Sequence, residues 1–295
     1  MEVTMRFLSN LVNGLGLGSV YAIIALGYTM VYGIAKMLNF AHGDVIMVGA
    51  YVAFFALSTF HIPLVPGILL AVLFCTVLGI VIERLAYKPL RQASSLAVLI
   101  TAIGVSYFLQ NSAQLLWSAN PKVFPNVFSN GSLQIGGLSI AYLTLITIAT
   151  CLVVMICLTL FINRTRTGSA MRACSEDKDA SRLMGINVNA IISLTFAIGS
   201  GLAAIASVLL CANYPTVTPT LGSMPGIKAF TAAVFGGIGS VPGALLGGLL
   251  LGVIEILSKA YISTQLSDVI VFGVLIVILL VKPAGLLGKN IREKV

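Results

Sequence analysis

Charge is scarce in this chain: Asp, Glu, Lys and Arg make up 9% of its 295 residues, against roughly 25% in a soluble globular domain. A soluble domain is therefore excluded. No His, Cys or carboxylate cluster has the spacing of a metal site, and neither a nucleophilic triad nor a pair of catalytic acids is visible. The chain does not read as an enzyme. The phosphate-binding pattern G-x-x-x-x-G-K-[ST] is also missing, so ATP cannot be held in the P-loop manner. No cofactor is expected on this chain, and any work it does must draw energy from elsewhere.

What the chain has is apolar length. Hydrophobic residues make up 58% and the mean hydropathy is +1.05. The apolar runs approach the roughly 20 residues that cross a hydrocarbon core about 30 Å thick, and they lack the alternation of a membrane barrel. The fold class that follows is an all-α integral membrane protein, a polytopic bundle of about eight helices forming one domain over 1–295. Candidate spans fall at 8–34, 43–60, 63–83, 95–117, 140–162, 190–212, 226–258 and 265–281. Two places are irregular. "GIAKMLNFAHGD" joins the first two spans and sets Lys36, Asn39, His42 and Asp44 near membrane depth, and "GGIGSVPG", Gly236 to Gly243, interrupts the seventh.

The formal net charge of +8 fits membrane orientation better than nucleic acid, because the basic residues sit between and after the spans. Arg84, Lys88 and Arg91 mark one basic loop, Asn163–Asn189 a second, and Lys282, Lys289, Arg292 and Lys294 a tail. All three, the C-terminus included, are expected in the cytoplasm. Residues 118–139 carry only Lys122 and 213–225 no charge, so both belong outside. The number of crossings from 213–225 to the tail must then be odd. Either the broken seventh span crosses twice, or it partly re-enters. The first span is too long for a signal-peptide core and reads as a retained helix. Cys75, Cys151, Cys157, Cys174 and Cys211 read as buried small hydrophobes. Gly14/Gly18, Gly243/Gly247 and Gly248/Gly252 have the spacing that lets helix backbones approach closely.

The interval Asn163–Asn189 is the longest polar stretch, with Arg164, Arg166, Arg172, Glu176, Asp177, Lys178, Asp179 and Arg182. Ser175 is placed to cap a short helix over 176–184, with Glu176 and Asp177 in its first turn, Arg182 in its last and Gly185 at the stop. Ala180, Leu183 and Met184 would share one face. The plain alternative is a solvated loop helix without a partner.

Asp179-Ala180-Ser181, three residues and then Gly185 resemble the EAA-x-x-x-G loop of ABC importer permeases, with Asp for Glu and Ser for the second Ala. That loop forms the coupling helix that docks into a cleft of the ATPase. "NFAHGDVIMVGAY" (Asn39–Tyr51), "LITAIGVSYFLQN" (Leu99–Asn111), "RTGSAMRACSEDKDASRLMGIN" (Arg166–Asn187) and "FTAAVFGGIGSVPGALLGG" (Phe230–Gly248) are similar, in order, to signatures of the LivH-like permeases of high-affinity branched-chain amino acid importers. The resemblance implies an inner-membrane importer subunit, related in architecture to simple-sugar and vitamin B12 permeases. It also implies a periplasmic binding protein, a second homologous permease, and two cytoplasmic ATPases that carry ATP and Mg. Arg172, Glu176, Asp177, Asp179, Ala180, Ser181, Leu183 and Gly185 become the candidate coupling residues.

Asn39, His42, Gly43, Asp44, Gly236, Gly237 and Gly239 become candidates for the translocation path or its gate, since broken backbone at depth is tolerated only where protein buries it or it lines a cavity. The alternative is that Asn39, His42 and Asp44 cap a half-helix starting near Gly43 or sit at the membrane interface. Glu255 and Lys259 are spaced to pair on one helical face, and Trp117 and Tyr142 read as interfacial anchors. Two glycosylation triplets, at Asn130 and Asn163, carry no weight. Urea, short amides or other amino acids remain possible cargoes. A stand-alone secondary transporter with an ion near Asp44, or a structural scaffold, are the rivals of another class.

Overall fold

The computed structural model describes residues 2–128, 131–135 and 138–288. Lys289, Arg292, Lys294 and Asn130 lie outside the described residues. The described chain is helical apart from two short ladders, in the order α1 (Glu2–Ala35), α2 (His42–Phe54), α3 (Leu64–Ile82), α4 (Ser95–Trp117), β1 (Lys122–Val123), β2 (Ser132–Ile135), β3 (Leu138–Ala141), α5 (Tyr142–Arg164), α6 (Arg166–Glu176), α7 (Lys178–Leu183), α8 (Val188–Asn213), β4 (Thr216–Val217), α9 (Ser223–Gly236), α10 (Val241–Tyr261) and α11 (Ser267–Val281). Seven helical stretches are long and apolar enough to cross a membrane, and α11 is a shorter apolar one. The expected span at 226–258 is two helices, α9 and α10, separated by a turn. Neither β1–β4 nor the β2–β3 hairpin was legible in an alternation of residues.

Helix limits follow local chemistry. Ser94, Thr165, Asn187 and Ser240 each accept a bond from the backbone three residues on, at the first turns of α4, α6, α8 and α10, which satisfies one of the orphan donors there. α2 continues as a π-helical turn, Phe55–Thr59, and α3 as another, Glu83–Tyr87.

The chain forms two compact units. One comprises Met1–Thr29, Ser129–Met155 and Lys228–Val295. Here α1 packs antiparallel to α10 through glycines: a Cβ on Gly14 would lie 2.8 Å from Val253 Cα, and one on Gly18 2.8 Å from Leu249 Cα. The small-residue spacing noted above thus joins these two helices. The other unit comprises Met30–Phe128 and Ile156–Ile227. Its centre is α2, buried from His42 to Tyr51, and packed with α3 and α8.

Four cysteines are buried as expected, but Cys157 is exposed on α5. Its helix position points it away from neighbours, as with Val153 and Leu160.

Candidate functional site

The first break lies between α1 and α2. Helix α1 ends at Ala35, and Lys36 takes a left-handed conformation, φ 57°, which few non-glycine residues adopt. Lys36 opens six residues of irregular backbone, 36–41, before α2. Asn39 is buried, and its Oδ1 accepts the Tyr87 hydroxyl at 2.8 Å. Helix α2 starts at His42 after Ala41, with no side-chain cap. Asn39, His42 and Asp44 therefore do not cap it with their side chains, which corrects the capping expectation. Asp44, 1% exposed, accepts instead from Gln110 Nε2 of α4 at 2.8 Å. The same amide lies 3.3 Å from the hydroxyls of Ser106 and Ser223. His42 is equally buried.

Gly43 brings α2 against the start of α9. A Cβ on Gly43 would meet Gly222 O at 2.6 Å, and one on Gly222 would strike the backbone of Gly43. Asp44, Gln110, Ser106 and Ser223 form one polar cluster because these backbones touch. Sequence reasoning missed Gln110, Ser106 and Gly222. The available signal was the density of polar residues in the second half of the 95–117 span.

The second break has another character. Gly237 and Gly239 have φ of 108° and 94°, so the chain reverses over 237–240, and α9 and α10 form an antiparallel hairpin with Gly236 against Gly243. The carbonyls left at the end of α9 are bonded by residues past α11: Leu286 N donates to Phe235 O and Leu287 N to Gly236 O, each at 2.9 Å. Gly236, Gly237 and Gly239 make a satisfied helix–turn–helix.

The polar interval folds as α6 and α7. Ser175 lies inside α6 and its hydroxyl donates to Arg172 O; the cap of the short helix is Asp177, which accepts from the backbone N–H groups of Asp179 at 2.8 Å and Ala180 at 3.0 Å. The expected 176–184 helix is accordingly 178–183. Asp outcompetes Ser175 here because the chain turns out of α6 at Asp177 (φ −148°, ψ 116°), the extended geometry that a capping residue needs. The end is as expected: Gly185 has φ 83°, Ile186 N bonds Ser181 O and Gly185 N bonds Arg182 O, both at 3.0 Å, a Schellman ending.

Arg172 reaches Asn163 at 2.9 Å and Ser169 at 3.2 Å, and Glu176 ends α6 exposed. Asp179 pairs with Arg182 at 2.8 Å in solvent, a contact of small energetic value. Ser181 is buried and Ala180 exposed. Leu183 and Met184 are 89% and 82% exposed, two apolar side chains that follow the exposed Arg182 in sequence. Lys178 turns the other way, and its Nζ donates to Ala35 O at 2.7 Å. Burial, then the positive charges of Arg91, Lys36 and Arg182, hold its ammonium below the ordinary lysine pKa.

Two further networks tie helices together. In the first unit Glu255, 1% exposed, accepts from Tyr21 at 2.9 Å, Lys228 at 2.8 Å and Lys259, and Lys228 also meets Asp268 at 2.7 Å. The Glu255–Lys259 pair is thus half of a larger cluster. In the second unit buried Glu83 accepts from Arg91 and Ser193, and Arg91 also bonds Asn189. Trp117 stacks on Tyr51 with centroids 4.4 Å apart. Among the described residues no group of His, Cys, Asp and Glu is arranged to hold a metal ion.

A multi-pass helical membrane protein with a broken helix, a buried polar cluster and a polar, charge-bearing helix pair is the class these features define. The family model for the permease component of branched-chain amino acid transport systems matches residues 10–279, and the chain belongs to that family. It is 48% identical to the high-affinity branched-chain amino acid transport system permease protein BraD of Pseudomonas aeruginosa, over 100% of both chains. It is 45% identical to the corresponding LivH protein of Escherichia coli K12, over 100% of this chain and 99% of that one. Among solved structures, PsaBC from Streptococcus pneumoniae in complex with Fab covers 92% of this chain and 91% of its own at 14% identity, with a TM-score of 0.48.

Proposed function

We propose that this permease is the membrane-spanning subunit of a bacterial inner-membrane ABC importer that moves leucine, isoleucine and valine delivered by a periplasmic binding protein. The observation that carries the reading is its end-to-end similarity, at 48% identity, to a permease of that transport class. A second, homologous permease would complete the path, and two cytoplasmic ATPases would bind ATP and Mg. The residues 1–295 act as one permease domain, with 163–189 as its coupling loop.

The exposed Leu183 and Met184 beside Asp179 and Arg182 support α7 as the part that seats in the ATPase. A 6-residue helix that ends in exposed Leu183, with exposed Met184 just past it and charged Asp179 and Arg182 on the helix, suits a cleft rather than open water. Of the two breaks, that at 36–44 is the better support for a place beside the path, since it carries buried Asn39, His42 and Asp44 around Gly43. The glycines at 236–239 serve the turn between α9 and α10.

The helix order supports one orientation. Three helices, α9, α10 and α11, separate the uncharged 213–225 segment from Lys282, the odd number required for a cytoplasmic C-terminus. With Arg84 in the cytoplasm, counting back through α3, α2 and α1 favours an outside start for α1.

Purification of the tagged chain from its native membrane tests the reading. Two ATPases and a second permease are expected to come with it, and the complex in liposomes should take up leucine only with ATP and the binding protein. Uptake by the chain alone under an ion gradient would establish a secondary transporter instead.

A further inference from the structure

We propose that one exposed stripe on the C-terminal half of α4 lines a water-filled path and contacts the charged head of the transported amino acid, an inference that rests on the amino-acid importer reading. Tyr107, Asn111 and Gln114 are spaced four and three apart, so they form one stripe along the helix. All three are exposed. The Asn111 amide donates to Tyr107 O at 2.7 Å; among the described residues these three side chains make no other hydrogen bond to protein.

Such a face does not suit lipid. Hydrocarbon leaves polar groups unsatisfied, and an exposed spanning surface is therefore apolar. The exposed side of α3 obeys this rule, with Val65, Leu69, Leu73, Phe74, Val77 and Val81. On α4 the same stripe is apolar in the first half, at Leu96, Ile100 and Ile103, and turns polar in the second, where exposed Phe108, Leu115 and Leu116 beside it stay apolar and leave the polar groups confined to the one stripe. At 1.5 Å per residue Asn111 stands about 9 Å and Tyr107 about 15 Å from the end of α4 at Trp117, too deep for a short amide to reach the interface. Gln110, next around the helix, carries the polarity inward to buried Asp44.

The amides of Asn111 and Gln114 and the Tyr107 hydroxyl offer donors and acceptors to an α-ammonium and α-carboxylate. Ile100 and Ile103, farther along, offer surface to an aliphatic side chain. A zwitterion with an apolar tail fits that order of chemistry.

Cysteine accessibility in the complete reconstituted transporter tests this. In a background without the five native cysteines that still takes up leucine, Asn111→Cys and Gln114→Cys are compared with Leu73→Cys on α3. A charged methanethiosulfonate should modify position 111 at least about tenfold faster than position 73, where hydrocarbon excludes it. Modification should block uptake, and leucine with its binding protein should slow the modification. The proposal is overturned if positions 111 and 114 react only with a lipid-soluble maleimide, both nucleotide-free and ATP-trapped. It is equally overturned if position 111 resists the charged reagent but cross-links to the second permease, which marks a dry subunit contact. A parent complex that moves no leucine overturns the cargo reading alone, because accessibility at 111 is read without solute.

Discussion

Lys178, the first residue of α7, donates its ammonium to the carbonyl of Ala35, the last residue of α1, across 2.7 Å. A positive group at the C-terminal end of a helix is favourably placed against the helix dipole. Here it also fastens α7 to the point where irregular backbone begins. Tyr87 holds the same segment four residues on, at Asn39.

Replacing Lys178 by Met should leave the protein inserted but weaken the link between ATP hydrolysis and uptake, with Lys178→Arg restoring most of it. The ratio of leucine moved to ATP hydrolysed is the measurement. The depressed pKa adds a pH test. Between the folded-state pKa and the higher unfolded value, the unfolded chain binds more protons, so stability rises with pH in that alkaline window. The parent should gain thermal stability relative to Lys178→Met as pH rises through it; a constant difference would refute the assigned cause.

Gly185→Pro removes the N–H bonded to Arg182 O and cannot hold a positive φ. Reversal of Asp179 to Lys replaces attraction to Arg182 by repulsion. Both should keep normal membrane levels and lose solute-stimulated ATPase activity. Normal stimulation and uptake in both would remove α7 from the coupling role.

Glu255→Ala removes the buried carboxylate shared by Lys228 and Lys259 in the first unit, leaving Lys228 with Asp268 and Lys259 without its carboxylate partner. Loss of one partner from a buried ionic cluster costs about 3–5 kcal/mol, so folded yield in detergent should fall sharply. The double substitution Glu255→Leu with Lys228→Met should recover much of it, as apolar replacement of both partners does. If the single change is silent in a melting assay, the cluster is not structural.

Gly222→Val sets a branched side chain against the backbone of Gly43. Overpacking of this kind costs about 1–3 kcal/mol or more, and relief would separate α2 from the start of α9. Lower thermal stability and lost uptake are expected together. Gly104→Val, where an added Cβ meets nothing within 4 Å, should leave stability nearly unchanged.

Periodicity and hydropathy read the spans well where a helix is straight and apolar, as with 95–117, which is α4 to the residue. They failed at 226–258, because two helices joined by a glycine turn have the same mean hydropathy as one long helix. Capping chemistry placed the end of α7 at Gly185 but not its start, since Ser175 and Asp177 are both good caps and only the backbone direction selects between them. The Glu255–Lys259 pair was visible at its four-residue spacing. Lys228, Asp268 and Tyr21 were not, because nothing local links residues so distant in sequence.

The sequence by itself determined that this is a membrane-spanning helical permease of its family, because long apolar runs admit few other structures and the motifs recur in order. Tertiary structure alone decided which polar residues meet. Asp44 finds Gln110 and Lys178 finds Ala35 through the packing of helices, where close backbone contact at glycine and the cost of an unpaired buried group select partners that no spacing along the chain records.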